Sequence, residues 1–379
     1  MNTFGRRFRV SLFGESHGAG VGVLVDGVPA GQPVDVARLQ AALDARRPGT
    51  SRLVSARKES DRAQILSGVH RGRATGAPLA VWVANEDADS KSYVDVATVP
   101  RPGHADWVNH VWSGGNADLR GGGHASGRLT AGLVAAGALA DGLLAPLGIA
   151  CAAHVTQVGA IAGPVGTLSA AQMAKGRASP VGTAHKMLEG RMVAVVEAAR
   201  AAGDSIGGAV AFAADGLPVG LGDPWMDPLE STLAHLLFAV PAVKAVSFGE
   251  GEGAAAMAGS AHNDAYALKS GRIRPTTNHA GGILGGRSTG ERLWGQCTVK
   301  PASSIAREQV TADVATGKSR KVKVTGRHDP CIAIRAAPVI AACLSIALAD
   351  AVLLGREQGL EGCWPAKAKA PGRATARDQ

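Results

Sequence analysis

The sequence predicts an α/β fold, duplicated within one chain and built around long apolar helices. Three observations carry this. A segment near the N-terminus reappears in the second half at a fixed distance, two helical stretches are apolar on every side, and no glycine-rich linker divides the halves.

The duplication pairs GESHGAGVGVLVDGVPAG at 14–31 with GDSIGGAVAFAADGLPVG at 203–220. Gly14 matches Gly203, Ser16 matches Ser205, Asp26 matches Asp215, Pro29 matches Pro218 and Gly31 matches Gly220, all without a gap. Each copy reads as turn, strand and Asp-Gly turn, and leads into a helical stretch, VARLQAALDARR or PLESTLAHLLFAV. Coincidence in a Gly/Ala-rich chain is the alternative, but matched non-alanine positions at one offset favour duplication. The expected arrangement is two β-α-β halves, about 8–190 and 198–355, sharing one core in a single unit of residues 1–364. Where the first copy has His17, the second has Ile206. A fold needs its turns twice, whereas a catalytic group is needed once.

Ser126 is placed to cap a helix from about Arg128 to Leu147. A second apolar helix spans 336–354, and MLEGRMVAVVEAARAA stops at Gly203, a good C-terminal cap. The 336–354 stretch contains Pro338 and Asp350 and lacks the flanking Lys/Arg asymmetry of a membrane span, so it reads as a core helix. The five cysteines form no CxxC pair, and the N-terminus lacks a signal-peptide core. A soluble, cytoplasmic protein without a membrane span is expected.

The formal charge is +9. Part of it belongs to a basic tail at 365–379, expected to be frayed, and part to Arg46, Arg47, Arg52, Arg57, Lys58 and Arg62. A solvated face explains such a cluster, and nucleic acid could. No aromatic run or recognition helix accompanies it, however, and RRPGTSR sets its arginines around a Pro-Gly turn suited to a small polyanion. Of eleven histidines, three lie on turns beside carboxylates: His17 in GESHG, His104 in RPGHAD, and His328 next to Asp329 in GRHDP. Each can serve as an acid near neutral pH, although each taken alone reads more readily as structural than as catalytic. RGGGHASGR, NHAGGILGGRSTG and KPASSI are candidate anion loops that fit neither the P-loop nor the dinucleotide fingerprint. No HxH, HExxH or HxxxD spacing supports a metal site.

Together these segments resemble the chorismate synthase family from about Phe8 to Leu354. Its three signatures look like GESHGAGVGVLVDGVPAG, RGGGHASGRLTAGLVAAGA and GRHDPCIAIRAAPV, with RRPGTSR, RPGHADW, GDSIGG, NHAGGILGG and KPASS in the family's order. The resemblance implies a homotetramer of α/β sandwiches whose central long helices are flanked by antiparallel sheets. It implies a lyase of the shikimate pathway to aromatic amino acids, converting 5-enolpyruvylshikimate 3-phosphate to chorismate and phosphate. That reaction is an anti-1,4-elimination that needs reduced FMN without net redox change.

By similarity, His17 protonates the leaving phosphate, and His104 manages a proton at the flavin N1 side. Asp329 serves proton acceptance at N5, with Ser16 and Ser126 in support. Flavin contacts are implied for Ser126, Ala242, Gly285, Lys300, Pro301, Ala302, Ser303, Ser304 and Arg327. Substrate or NADP contacts are implied for Arg46, Arg52, Arg101 and Arg128. The chain departs from the family pattern at His124, Ala125, Leu129, Pro241 and Ala341, several of which border the expected flavin loop. A drifted paralogue with weakened flavin binding and an FMN/NADPH oxidoreductase are the alternatives. Self-reducing members carry insertions for which this length leaves little room. Externally reduced FMN from a separate flavin reductase is therefore expected, with NADPH as a possible reductant.

Overall fold

The computed structural model of the chain describes residues 2–49, 51–55, 59–87, 96–269, 271–324 and 328–364. The first sheet uses β1 (Thr3–Phe4), β2 (Arg9–Gly14), β3 (Gly20–Asp26), β4 (Ala63–Ser67) and β7 (Leu79–Ala84), with helix α1 (Val36–Arg46) after β3. A hairpin of β5 (Val69–His70) and β6 (Arg73–Ala74) precedes β7, and α2 (Asp106–Trp112) and α3 (Thr130–Leu144) follow it. The second sheet uses β8 (Ala150–Val158), β9 (Ile161–Ala162), β10 (Gly208–Asp215), β11 (Val243–Phe248) and β16 (Leu293–Val299). Helices α4 (Ala170–Ala174) and α5 (Lys186–Ala201) precede β10, and α6 (Leu229–Phe238) follows it. After β11 come α7 (Gly259–His262), hairpin β12–β13 (Tyr266–Lys269, Arg272–Pro275) and hairpin β14–β15 (Ile283–Leu284, Arg287–Ser288). Hairpin β17–β18 (Glu308–Asp313, Lys318–Lys323) and helix α8 (Ile332–Glu357) close the chain.

The duplication is visible in the register. The two sheets run β1-β2-β3-β7-β4 and β9-β8-β10-β16-β11, antiparallel throughout. Gly20 faces Ala84 and Leu24 faces Ala80, as Ala209 faces Thr298 and Ala213 faces Trp294. Gly31 donates its N–H to Ala74 O at 2.8 Å, and Gly220 donates to Ser288 O at the same distance. The halves differ in one connection. Residues 15–19 join β2 to β3 as a tight turn, whereas β9, α4 and α5 lie between β8 and β10. By sheet membership the division falls between α3 and β8, because β8 answers β2 and only the helical excursion separates it from β10.

Helix α1 starts at Asp35, whose side chain accepts the Arg38 N–H, and it buries Leu39 and Leu43. Helix α3 packs on the first sheet, α8 on the second, and the two helices on each other. Their closest approach needs small residues: a β-carbon added at Gly137 would stand 2.4 Å from the Ala342 Cβ. One hydrophobic cluster runs through both sheets and these helices. The outer face of the second sheet is covered by α4 through Ala170 and Met173, which explains why β10 is buried on both faces. Both α3, with its flanking turns, and α8 are long and apolar enough to cross a membrane, but each is largely buried inside the protein. Asp350, in the apolar stretch of α8, accepts backbone N–H groups of Arg6, Arg7 and Phe8, so this buried carboxylate anchors the N-terminal loop.

Candidate active site

A cavity of about 540 Å³ opens where the ends of these elements converge. Its lining comes from the β2–β3 turn, the end of α1, the loop entering α2, the start of α3, the loops after α6 and β16, and the start of α8. His17, His104, Arg46, Arg101, Arg128, Lys300 and Asp329 all face it.

The two imidazoles flank the glycine run. Gly121, Gly122 and Gly123 all have positive φ (62°, 105° and 54°). A β-carbon at Gly121 would lie 2.4 Å from His17 Cδ2 and Nε2, and one at Gly122 would lie 3.4 Å from His104 Cε1. All three backbone angles favour glycine, and at Gly121 the His17 ring packed on it leaves no room for a side chain. Ser16 is 1% exposed behind His17, and its hydroxyl donates to Arg120 O at 3.1 Å. Asp106, also 1% exposed, receives Arg101 Nε and Nη2, both at 2.7 Å, and lies 2.7 Å from His104 Nδ1. Such a carboxylate favours the Nδ1–H tautomer and leaves Nε2 for chemistry. Burial pushes the Asp106 carboxyl upward, but hydrogen bonds from Arg101 and His104 outweigh it and hold it well below the usual range.

Carboxylates of the protein also orient the other arginines. Arg46, at 1% exposure, donates to Asp61 at 2.6 Å, and Arg128 donates to the other Asp61 oxygen. Burial pulls Arg46 down to about 10, opposed by Asp61, and it stays charged near neutral pH. Asp61 has no exposure and a left-handed φ of 47°. Burial raises its carboxyl, yet Arg46 and Arg128 together hold it low. Arg335 donates to Asp329 Oδ2 at 2.8 Å, while Ser55 N–H donates to Oδ1 at 2.7 Å. Both oxygens of this carboxylate are thereby oriented.

The opposite wall is the 300–304 loop. Lys300 Nζ donates to Gly103 O at 2.7 Å and to Ser303 Oγ at 3.0 Å, tying that loop to RPGHAD. Lys300 N–H donates to the carbonyl of Ala242, which holds a left-handed φ of 74°. The second copy of the repeated turn supports this wall: Ser205 Oγ donates to Ala302 O at 2.7 Å, and Ile206 N–H donates to Pro330 O at 2.8 Å. One GxSxG copy thus presents an imidazole, and the other braces the loops facing it. The residues present fit a flavin phosphate ester. Lys300, Ser303 and Ser304 supply cation and hydroxyls, and Val240, Pro241, Ala242, Ile332, Ala336 and Val339 supply an apolar wall. His328 also lines the cavity, its Nε2 without a hydrogen-bond partner among the described residues. Burial, and then Arg101, lower its pKa and favour the neutral ring.

Of the residues expected from the sequence, Ser126, Ala242, Lys300, Ala302, Ser303 and Ser304 also line the cavity. Ser126 caps the 3₁₀ turn that leads into α3 by accepting the Arg128 N–H. Three expectations are placed elsewhere. Arg52 is 74% exposed and pairs with Glu197 at 2.8 Å. Gly285 lies in the turn of hairpin β14–β15, and Pro301 packs behind the wall near Gly207. Arg327, Arg57, Lys58 and the 365–379 tail lie outside the described residues. The departures divide similarly. Ala125 and Pro241 line the cavity, Leu129 and Ala341 are in the core, and His124 turns away to Gly14 O (2.9 Å) and Asn2 Oδ1 (3.0 Å). Sequence reasoning missed Asp61, Asn85, Asp106 and Arg335. Asp106 alone carried a local signal, lying two residues after His104 in RPGHAD.

Comparison with known proteins bears on the family and the fold. A family model described as chorismate synthase matches residues 8–353. A chorismate synthase of Methanopyrus kandleri is 46% identical over 360 residues, covering 93% of each chain. One of Methanocella arvoryzae is 43% identical over 354 residues (93% of this chain, 95% of that protein), and one of Desulfovibrio desulfuricans is 44% identical over 363 (95% and 99%). A crystal structure of a chorismate synthase superposes with a TM-score of 0.72 at 24% identity, covering 92% of each chain, which shows the shared fold. With signatures, fold and relatives in agreement, this chain belongs to the chorismate synthase family.

Proposed function

We infer that the cavity between His17, His104 and Lys300 is where this lyase converts 5-enolpyruvylshikimate 3-phosphate to chorismate and phosphate. The observation that carries the reading is the placement of two imidazoles on either side of one triglycine floor, facing arginines and the Lys300 loop. The substrate brings a phosphate and two carboxylates, and FMN brings another phosphate. Arg46, Arg101 and Arg128 hold substrate anions, while Lys300, Ser303 and Ser304, with Ala242 and Ser126 beside them, hold the flavin. Reduced FMN, which members of this family use, would when bound supply electron density to the reacting allylic system without net redox change.

The protein's own groups manage the protons. His17 donates to the departing phosphate oxygen, with Ser16 behind it. His104, held by Asp106 through Nδ1, keeps a proton at the N1 side of the flavin. Asp329, oriented by Arg335 and Ser55, assists proton acceptance at the flavin N5. Positioned acid–base groups of this kind are each worth about 10²–10⁴ in rate. The test is anaerobic incubation with dithionite-reduced FMN and the enolpyruvyl substrate, following phosphate release and chorismate absorbance together. Bound FMN with neither signal overturns the reading in favour of a drifted paralogue.

Flavin arrives already reduced, from a separate reductase, in the cytoplasm. Oxidised FMN with NADPH should then give no turnover, and turnover would show self-reduction. A homotetramer fits the first sheet, whose outer face leaves Phe13 and Leu24 38% and 37% exposed beside Trp82. Light scattering measures the assembly directly, and a monomer would remove that part of the reading.

A further inference from the structure

Asn85, the residue immediately after β7, stands between the arginine pair and the turn that carries His17. Its Nδ2 donates to the carbonyls of Glu15 (2.9 Å), Ser16 (3.1 Å) and Gly18 (2.9 Å). Its Oδ1 accepts Arg128 Nε at 2.8 Å, and its backbone N–H donates to Ala19 O at 3.1 Å. The orientation of the amide is not arbitrary: three carbonyls demand the NH₂ group on one side, and a guanidinium demands the oxygen on the other.

The turn is also held from its other side. Besides its own Gly18-to-Glu15 bond, the Ser16 N–H and hydroxyl reach Gly123 O and Arg120 O. Asn85 therefore closes the side of the turn opposite the glycine run. Arg128 is held in turn by Asp61 and by Ala84 O at 2.9 Å, so Asn85 is braced by a buried charge network and does not depend on its own rotamer alone.

We propose that Asn85 is the positioning residue for His17, fixing the β2–β3 turn so that the imidazole holds its place beside Gly121 and over the cavity. This rests on the reading of His17 as the proton donor to the leaving phosphate. The role is one of geometry, so its loss is read in the turnover step, while flavin affinity, set across the cavity, is retained.

Asn85→Asp keeps the shape of the side chain but turns a carboxylate oxygen toward three carbonyls, and Asn85→Ala removes the contacts. In full-length protein with dithionite-reduced FMN, each should lower kcat by about 100-fold, with FMN affinity little changed. In a His17→Ala background the same substitutions should cost almost nothing more, because the group they position is gone. Amide hydrogen exchange should quicken at residues 15–19 in Asn85→Asp and stay unchanged in β10.

Equal loss in both backgrounds, or unchanged exchange at the turn, overturns the proposal. Exchange that quickens across the whole molecule makes Asn85 a general stabiliser and overturns it too. Full turnover by His17→Ala alone would overturn the role of His17 instead, and exchange at the turn would still decide whether Asn85 holds it.

Discussion

Gly121 and His17 are packed against each other: a β-carbon added at the glycine would stand 2.4 Å from the imidazole Cδ2 and Nε2. Gly121→Ala must therefore both accept a left-handed φ of 62° and displace the ring. The backbone cost is about 1–2 kcal/mol. A larger fall is expected in kcat, with FMN affinity retained, since Lys300 and its loop lie across the cavity. Denaturant unfolding and single-turnover kinetics on the same sample separate the two effects, and an unchanged kcat would show that His17 has room to move.

Asp106 serves Arg101 and His104 at once, and removing its charge takes a bidentate carboxylate from a buried guanidinium. Asp106→Asn should cost about 3–5 kcal/mol of stability and lower turnover, because the tautomer of His104 is no longer imposed. The pH sign follows from a carboxyl held below its ordinary value. Its contribution is fully present above about pH 4 and is lost as pH falls further toward the folded-state value. Urea unfolding of the two proteins between pH 7 and pH 3 should show the gap narrowing only at the acid end.

His154 supplies a separate acid-sensitive point remote from the cavity. It is 1% exposed, and its Nδ1 accepts the Ala184 N–H at 3.2 Å. Burial, with His185 nearby, pulls its pKa down to about 4. The unfolded chain takes a proton near pH 6.5, whereas the folded chain resists it until about 4. Stability should thus fall by about 3 kcal/mol as pH drops through that window. His154→Asn, with an acceptor in the place of Nδ1, should flatten this part of the profile; an unchanged slope would assign it to other groups.

His124 stands where the family pattern carries an arginine, and its sequence position beside Ser126 implied a weakened flavin site. The structure turns the ring toward Gly14 O and Asn2, outside the cavity lining. His124→Arg should leave the affinity for FMN unchanged in fluorescence titration. Tighter binding after that substitution would show that the arginine reaches the flavin from this position.

Much of the fold was legible because it repeats. The GxSxG turn, the strand behind it and the Asp-Gly turn recur at one offset, and apolar runs such as 336–354 are too long and too uniform to be anything but buried helix. The contrast of His17 with Ile206 also marked the single imidazole of the pair. Local rules of this kind depend on neighbours a few residues away, which a sequence displays.

What the sequence by itself determined was therefore the type of each element and the residues able to do acid–base and anion chemistry. Only the tertiary structure decided which of them meet. It set Arg52 aside against Glu197, turned His124 outward, and brought in Asp61, Asn85 and Arg335. These three act on partners far along the chain: Asp61 on Arg128, Asn85 on the Glu15–Gly18 carbonyls, and Arg335 on Arg46 O. An isolated Asn or Asp in a sequence carries no mark of such a role. The role exists only once sheet and helix packing has buried the group and obliged its hydrogen bonds to find partners.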